Sequence, residues 1–109
     1  MKTRDAVIDP ERLRAAADEA VGALKLLANT ERLLLLCQLS QGEFSVGELE
    51  EQLDIHQPTL SQQLGVLREE GLVETRRDGK HIFYRVRSPQ ALAVLQVLYE
   101  QFCRKGNRK

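Results

Sequence analysis

Cysteine and histidine are scarce in this chain, with 2 of each among 109 residues. A closed zinc site wants about four Cys, His or carboxylate ligands. No cluster of that kind is visible, so neither a bound metal nor a cofactor is expected. There is no Cys-x-x-Cys pair, which argues against a dithiol oxidoreductase. Long apolar runs are missing too: none exceeds the five residues of Leu33 to Cys37, far too few to span a membrane. No apolar stretch follows Met1-Lys2-Thr3-Arg4-Asp5, so a secretion signal is not expected. The expected location is the cytoplasm, where thiols normally stay reduced. Cys37 and Cys103 are then either inert core residues or a reactive pair. An excess of one charge is also lacking, since 16 basic residues balance 16 acidic ones. At 12.4 kDa the chain has room for one core. It should bury roughly two-thirds of its extended surface on folding, and oligomerisation would help it.

What is present is unevenly placed. Glu48, Glu50, Glu51 and Asp54 make one stretch acidic, whereas Arg76, Arg77, Lys80, Arg85 and Arg87 face Asp78 alone in another. A local basic patch on a neutral protein can still be an electrostatic footprint for nucleic acid. The stretch Ile55 to Leu67 is the centre of the pattern. Leu60, Leu64 and Leu67 recur at helical spacing. The opposite face carries Pro58, Thr59, Gln62 and Gly65, flanked by Ser61 and Gln63. Neutral hydrogen-bonding groups and a glycine suit close approach to base edges, although an ordinary amphipathic helix with few charges fits this stretch as well. Gln57 is the expected N-cap and Pro58 the first helical residue.

In chain order, residues 1–9 show no periodicity and read as a mobile arm. Asp9 and Pro10 open a helix striped by Leu13, Ala16, Ala17, Ala20, Val21, Leu24 and Leu27, whose small residues would permit close helix pairing. Asn29 or Thr30 caps a second helix through Leu39, apolar nearly all round and therefore central. Ser45-Val46-Gly47-Glu48 is a capping-box sequence opening a short helix to Leu53. With the helix that follows it, this makes a helix-turn-helix. The period then changes to two: Leu72–Arg77 and His81–Val86 flank Asp78-Gly79-Lys80, a hairpin signal with Arg76, Arg77 and Lys80 at its tip. A basic hairpin after a helix-turn-helix is a wing, expected to reach phosphate or the minor groove. Ser88-Pro89 opens a last helix striped by Leu92, Leu95, Leu98, Tyr99 and Phe102, with Cys103 at its edge. That helix holds more apolar surface than so small a domain needs. Pairing it with the first helix across a two-fold axis would give a homodimer through Leu13, Ala17, Ala20, Leu92, Leu95, Tyr99 and Phe102. The expected fold is mainly α with a β-hairpin wing, in the order α-α-α-α-β-β-α. The domain spans residues 10–104, and a basic tail covers 105–109.

The blocks Leu27-Ala28-Asn29-Thr30-Glu31-Arg32-Leu33, His56 through Leu64, and Leu67-Arg68-Glu69-Glu70-Gly71-Leu72-Val73, with the wing through Tyr84, resemble the ArsR/SmtB family of bacterial repressors. The resemblance covers roughly residues 12 to 103. It implies a homodimer paired through its first and last helices, with no enzymatic activity. Such a dimer represses transcription on double-stranded, pseudo-palindromic operator DNA and lets go when an inducer arrives. Gln57, Thr59, Ser61, Gln62 and Gln63 would face the bases or nearby phosphate. Arg76, Arg77 and Lys80 would hold the wing on the backbone.

The metal-sensing branches of that family carry Cys-x-Cys before the reading helix, or Asp and His along the last one. Here the first positions are Ser45 and Gly47, and Ser88 to Arg104 contains neither Asp nor His. The placement of Cys37 and Cys103 instead resembles the family's dithiol, persulfide-responsive branch. The resemblance implies a redox-sensing pair for which the inducer is a small reactive sulfur species. A thiolate would attack sulfane sulfur and the second thiol would resolve the product. Arg104 and Lys105 should favour the Cys103 thiolate, and Cys37 should be the less reactive partner. Peroxide or disulfide stress, or arsenite held by two thiolates, would use the same pair. A winged helix that binds only protein is a further alternative.

Overall fold

Leu35, Leu36 and Leu39 lie at the centre of the structure, each at most 2% exposed. The computed structural model of the chain describes residues 9–104. Apart from Asp9, the expected arm lies outside the described residues, as does the basic tail. The elements are α1 (Pro10–Leu27), α2 (Thr30–Leu39), β1 (Phe44–Ser45), α3 (Val46–Leu53), α4 (Thr59–Glu69), β2 (Val73–Asp78), β3 (His81–Val86) and α5 (Pro89–Leu98), which runs into a π-helical turn at Tyr99–Arg104. This is the winged helix-turn-helix order, with two additions.

The helix limits follow from local chemistry. Asn29 caps α2 by accepting the Arg32 N–H at 3.0 Å. Ser45 and Glu48 form a full capping box on α3, with bonds of 3.2 and 2.8 Å. Each satisfies a donor that the first helical turn leaves unpaired. Ser88 caps α5, and Pro89 follows as its first residue. At the end of α4 the N–H groups of Gly71 and Leu72 return to the carbonyls of Arg68 and Leu67 at 3.0 and 2.9 Å. That double return is a Schellman motif, and it places Gly71 at φ +78, where a side chain would be strained. Asp9 stands at the N-cap of α1 but makes no side-chain bond there.

Three details differ from the sequence reading. The N-cap of α4 is Pro58, not Gln57, and the helix begins at Thr59. Proline offers no capping side chain, so Gln57 reaches forward and its amide oxygen accepts the Ser61 N–H at 3.1 Å. Asp78 is the last strand residue, pairing with His81, and the loop is Gly79-Lys80 with Gly79 at φ +65. Finally, Phe44–Ser45 joins the hairpin as a third strand in the order β1-β3-β2. Two residues carry no periodicity, and this strand exists only because β3 offers a free edge.

The core is built by Leu35, Leu36 and Leu39 of α2, Leu49 of α3, and Leu60, Leu64 and Leu67 of α4, closed by Val73, Val86, Ala91 and Leu95. Removing such a side chain from water is worth about 1.5–3 kcal/mol, so these contacts bind α3 and α4 firmly to α2, the wing and α5. Helix α1 contributes Leu27, with Leu26 packed half-buried against it. The rest of its stripe is in solvent, with Leu13 and Leu24 each 53% exposed.

Candidate nucleic-acid interface and thiol pair

Helix α4 is fixed from beneath by its three buried leucines and from the front by the turn that precedes it. Asp54 ends α3 at φ 56, a left-handed conformation that short polar side chains tolerate. Ile55 is buried under the turn. His56 lies 2.8 Å from Asp54 and 3.6 Å from Glu50, tying the turn back to α3. On the face so presented, Gln57, Ser61, Gln62 and Gly65 are exposed, while Thr59 and Gln63 are half-buried. Gln63 is engaged within the protein, since its amide oxygen accepts from Arg32 Nη1 at 3.1 Å.

In the wing, directly paired residues share a face. Val73, Thr75, Tyr84 and Val86 line the side toward the core, and Glu74, Arg76, Phe83 and Arg85 line the outside. Arg76, grouped from the sequence with two other cations at the tip, is bound within the protein instead. Its guanidinium passes 4.9 Å over the Phe83 ring and donates from Nε and Nη2 to Glu43 at 2.8–3.1 Å. These hydrogen bonds hold the Glu43 carboxyl below the usual carboxylate range. Arg85 is taken up by Glu74 at 2.6 Å. Arg77 and Lys80 are exposed and have no ion-pair partner among the described residues. They are the cations the wing can offer to a polyanion.

Cys37 is half-buried in α2, and Cys103 is exposed in the π-helical turn beyond α5; both are free thiols. Burial pushes the Cys37 thiol above the ordinary thiol range, and the nearby charge of a Cys103 thiolate pushes it further. The fold thus brings within electrostatic reach two sulfurs that are 66 positions apart in the chain. The side chain of Arg104 and the whole of Lys105, expected to assist Cys103, lie outside the described residues. Among the described residues, no three metal-ligating side chains come together, and no helix is long and apolar enough to cross a membrane.

The residues expected to pair two copies differ in their exposure in the single chain. Leu95 is 1% exposed and belongs to the protomer's own core. Leu13, Leu92, Tyr99 and Phe102 are exposed, and so are Ala17 and Ala20. Val21, Leu24, Val94 and Val97 are exposed as well. Arg32 and Glu43 were missed in the sequence. Gln63 and Arg76, which they hold, lie 31 and 33 positions away, and nothing in the local pattern announces such contacts.

Residues 29–75, spanning α2 through the start of the wing, match the family described as "Bacterial regulatory protein, arsR family". The biofilm growth-associated repressor of Agrobacterium fabrum is 60% identical over 87 residues, covering 80% of this chain and 74% of the relative. The crystal structure of the transcriptional repressor BigR from Xylella fastidiosa superposes with a TM-score of 0.83 at 52% identity, covering 89% of this chain and 96% of that one. Reduced HlyU from Vibrio cholerae N16961 gives a TM-score of 0.81 at 39% identity, covering 85% of this chain and 98% of that one. Fold, helix-turn-helix and identity over most of both chains agree: the chain belongs to the ArsR family of bacterial transcriptional regulators.

Proposed function

We propose that this protein is a cytoplasmic, homodimeric transcriptional repressor that senses reactive sulfur species through Cys37 and Cys103 and then releases its operator. The observation that carries the sensing role is the asymmetry of the thiol pair. One sulfur is exposed at the end of the last helix, and the other is half-buried, harder to ionise and within its electrostatic reach. Similarity to proteins named as repressors supports the regulatory role.

The chemistry balances with the inducer as oxidant. The Cys103 thiolate attacks an inner sulfur of a polysulfide, forming a new S–S bond and displacing a shorter hydropolysulfide. Cys37 then loses its proton and attacks the sulfur attached to Cys103, displacing hydrosulfide or its next homologue. Two cysteine thiols are oxidised and the polysulfide is reduced, leaving sulfur bridged between α2 and the end of α5. Inserted sulfur atoms relax the Cα separation of about 7 Å that a direct disulfide demands.

DNA is held in two ways. Gln57, Thr59, Ser61 and Gln62 of the α4 region face bases or nearby phosphate in the major groove, while Arg77 and Lys80 hold the wing on the backbone. Two copies pair through the exposed apolar faces of α1 and α5, which frame an apolar groove of about 580 Å³. Half-sites then fall one or two helical turns apart.

Intact mass of the reduced protein, taken without reductant after polysulfide, peroxide or oxidised glutathione, tests the signal. The expected result is added sulfur bridging Cys37 and Cys103 with polysulfide only. Loss of two hydrogens with every oxidant would make the pair a general thiol switch. No change with any reagent would leave two inert cysteines.

A further inference from the structure

Helix α1 ends at Leu27, and its last carbonyls need donors from elsewhere. The Ala28 N–H serves the Leu24 carbonyl at 3.0 Å and shares the Lys25 carbonyl at 3.3 Å, and Arg32 adds two more bonds: Nε donates to the Leu26 carbonyl at 2.7 Å and Nη2 reaches the Lys25 carbonyl at 3.4 Å. Its positive charge also stands at the negative end of the α1 dipole. Its own backbone is fixed, because its N–H is held by the Asn29 cap in the first turn of α2. The remaining edge of the same guanidinium donates from Nη1 to Gln63, in the middle of α4, at 3.1 Å. One planar, half-buried group therefore joins the end of α1, the start of α2 and the helix that presents its polar face to solvent. Arginine suits this place because its donors form a rigid fork, whereas lysine would offer a single flexible point charge.

We infer that Arg32 is a positioning residue that sets the angle and depth of α4 against α1 and α2, and that Gln63 is its anchor on α4 and not a base contact. The inference rests on α4 being the DNA-reading helix. Gln63 lies on the flank beside Leu60 and Leu67, and its amide oxygen is spent on Arg32. Bidentate recognition of adenine needs both ends of the amide. Exposed Ser61 and Gln62 remain on the outer face. The cost of losing Arg32 or Gln63 should thus appear as a general loss of fit, spread over all base positions.

The test is a double-mutant cycle on operator DNA enriched by the wild-type chain from a random duplex pool. Arg32→Lys, Gln63→Met and the double variant are titrated by fluorescence anisotropy against that operator, against each single-base substitution of it, and against unrelated duplex. Each single variant is expected to bind the operator about tenfold more weakly, the scale of a hydrogen bond to a charged group. The double variant should lose no more than the worse single one. Affinity for unrelated duplex, the salt slope and the relative ranking of bases should stay those of the wild type, which a mere loss of folded protein would not produce. Losses that multiply in the double variant, or a Gln63→Met variant that stops discriminating at one base pair, would overturn the inference. If Arg32→Lys fails to fold, Gln63→Met decides alone by whether its base ranking changes, since methionine matches the length of glutamine at this half-buried position and adds no charge. Failure of the wild-type chain to enrich any sequence would remove the DNA-reading role of α4 and this inference with it.

Discussion

Arg76 and Glu43 are joined by three nitrogen–oxygen contacts of 2.8–3.1 Å that span strand β3 above Phe83. The wing is thereby tied to the segment that leads into α3, and its angle to the helix-turn-helix is set by an ion pair as well as by the strand ladder. A carboxyl held below its ordinary value stabilises the fold above its unfolded pKa, and that contribution is lost as pH falls through the folded one. Glu43→Gln should therefore lower the urea midpoint at pH 7, and the gap to wild type should close below about pH 4. A gap of the same size at low pH would mean that the effect is not that of the ion pair.

Arg77→Ala and Gln62→Ala should fail in different ways. Losing a phosphate contact weakens binding to all sequences and flattens the plot of log K against log salt by about 0.9 per contact. Losing a base contact relaxes preference at one position for about 1–3 kcal/mol and leaves the slope alone. Titrations at four salt concentrations on matched and mismatched duplexes separate the two. Identical behaviour of both variants would refute the division of roles between wing and helix.

Gly65 sits in the interior of α4 with open space around the position a Cβ would take. Gly65→Ala should then stabilise the free protein by roughly 0.5–1 kcal/mol, the helix-propensity gain, visible as a higher melting temperature. The same methyl group should weaken operator binding if the backbone there closes on DNA. Unchanged affinity would show that this face stays clear of the duplex.

At pH 7.5, Cys103 should be alkylated by iodoacetamide before Cys37, as mass mapping of partly modified protein would reveal. Burial and the Cys103 charge both hold the Cys37 thiol up. In Cys103→Ser its reaction should move to lower pH, yet stay above the ordinary thiol range because burial remains. A Cys37 rate curve that ignores the Cys103 substitution would rule out their electrostatic contact.

Val97 and Phe102 are 57% and 70% exposed. In a homodimer paired through α1 and α5, Val97→Glu places a charge in apolar surface. Sedimentation velocity should show a shift toward monomer and anisotropy a loss of operator affinity, with circular dichroism unchanged. A variant that remains a dimer would put the pairing surface elsewhere.

Most of the framework was legible in the sequence because local rules decide it. The capping box at Ser45, the Asn29 and Ser88 caps, the leucine spacing of α4 and the change to period two at the wing each depend on a few neighbouring residues. The blocks around Asn29, Gln57 and Gly71 were enough to reveal the family. What the local pattern could not reveal is where long side chains go once helices and strands have met. Gln63 and Arg76 look like free polar and basic groups in sequence. They are taken by Arg32 and Glu43, which lie 31 and 33 positions away. Leu95 and Val97 are both apolar residues of one helix, and only packing against the rest of the chain puts the first in the core and the second in solvent. Phe44–Ser45 becomes a strand solely because β3 has an edge to fill. The sequence by itself determined the main helices and the hairpin, their order and the chemical groups available. The tertiary structure decided which of those groups are already taken within the chain and which stay exposed, because long-range hydrogen bonds and burial depend on distances that one-dimensional spacing does not contain.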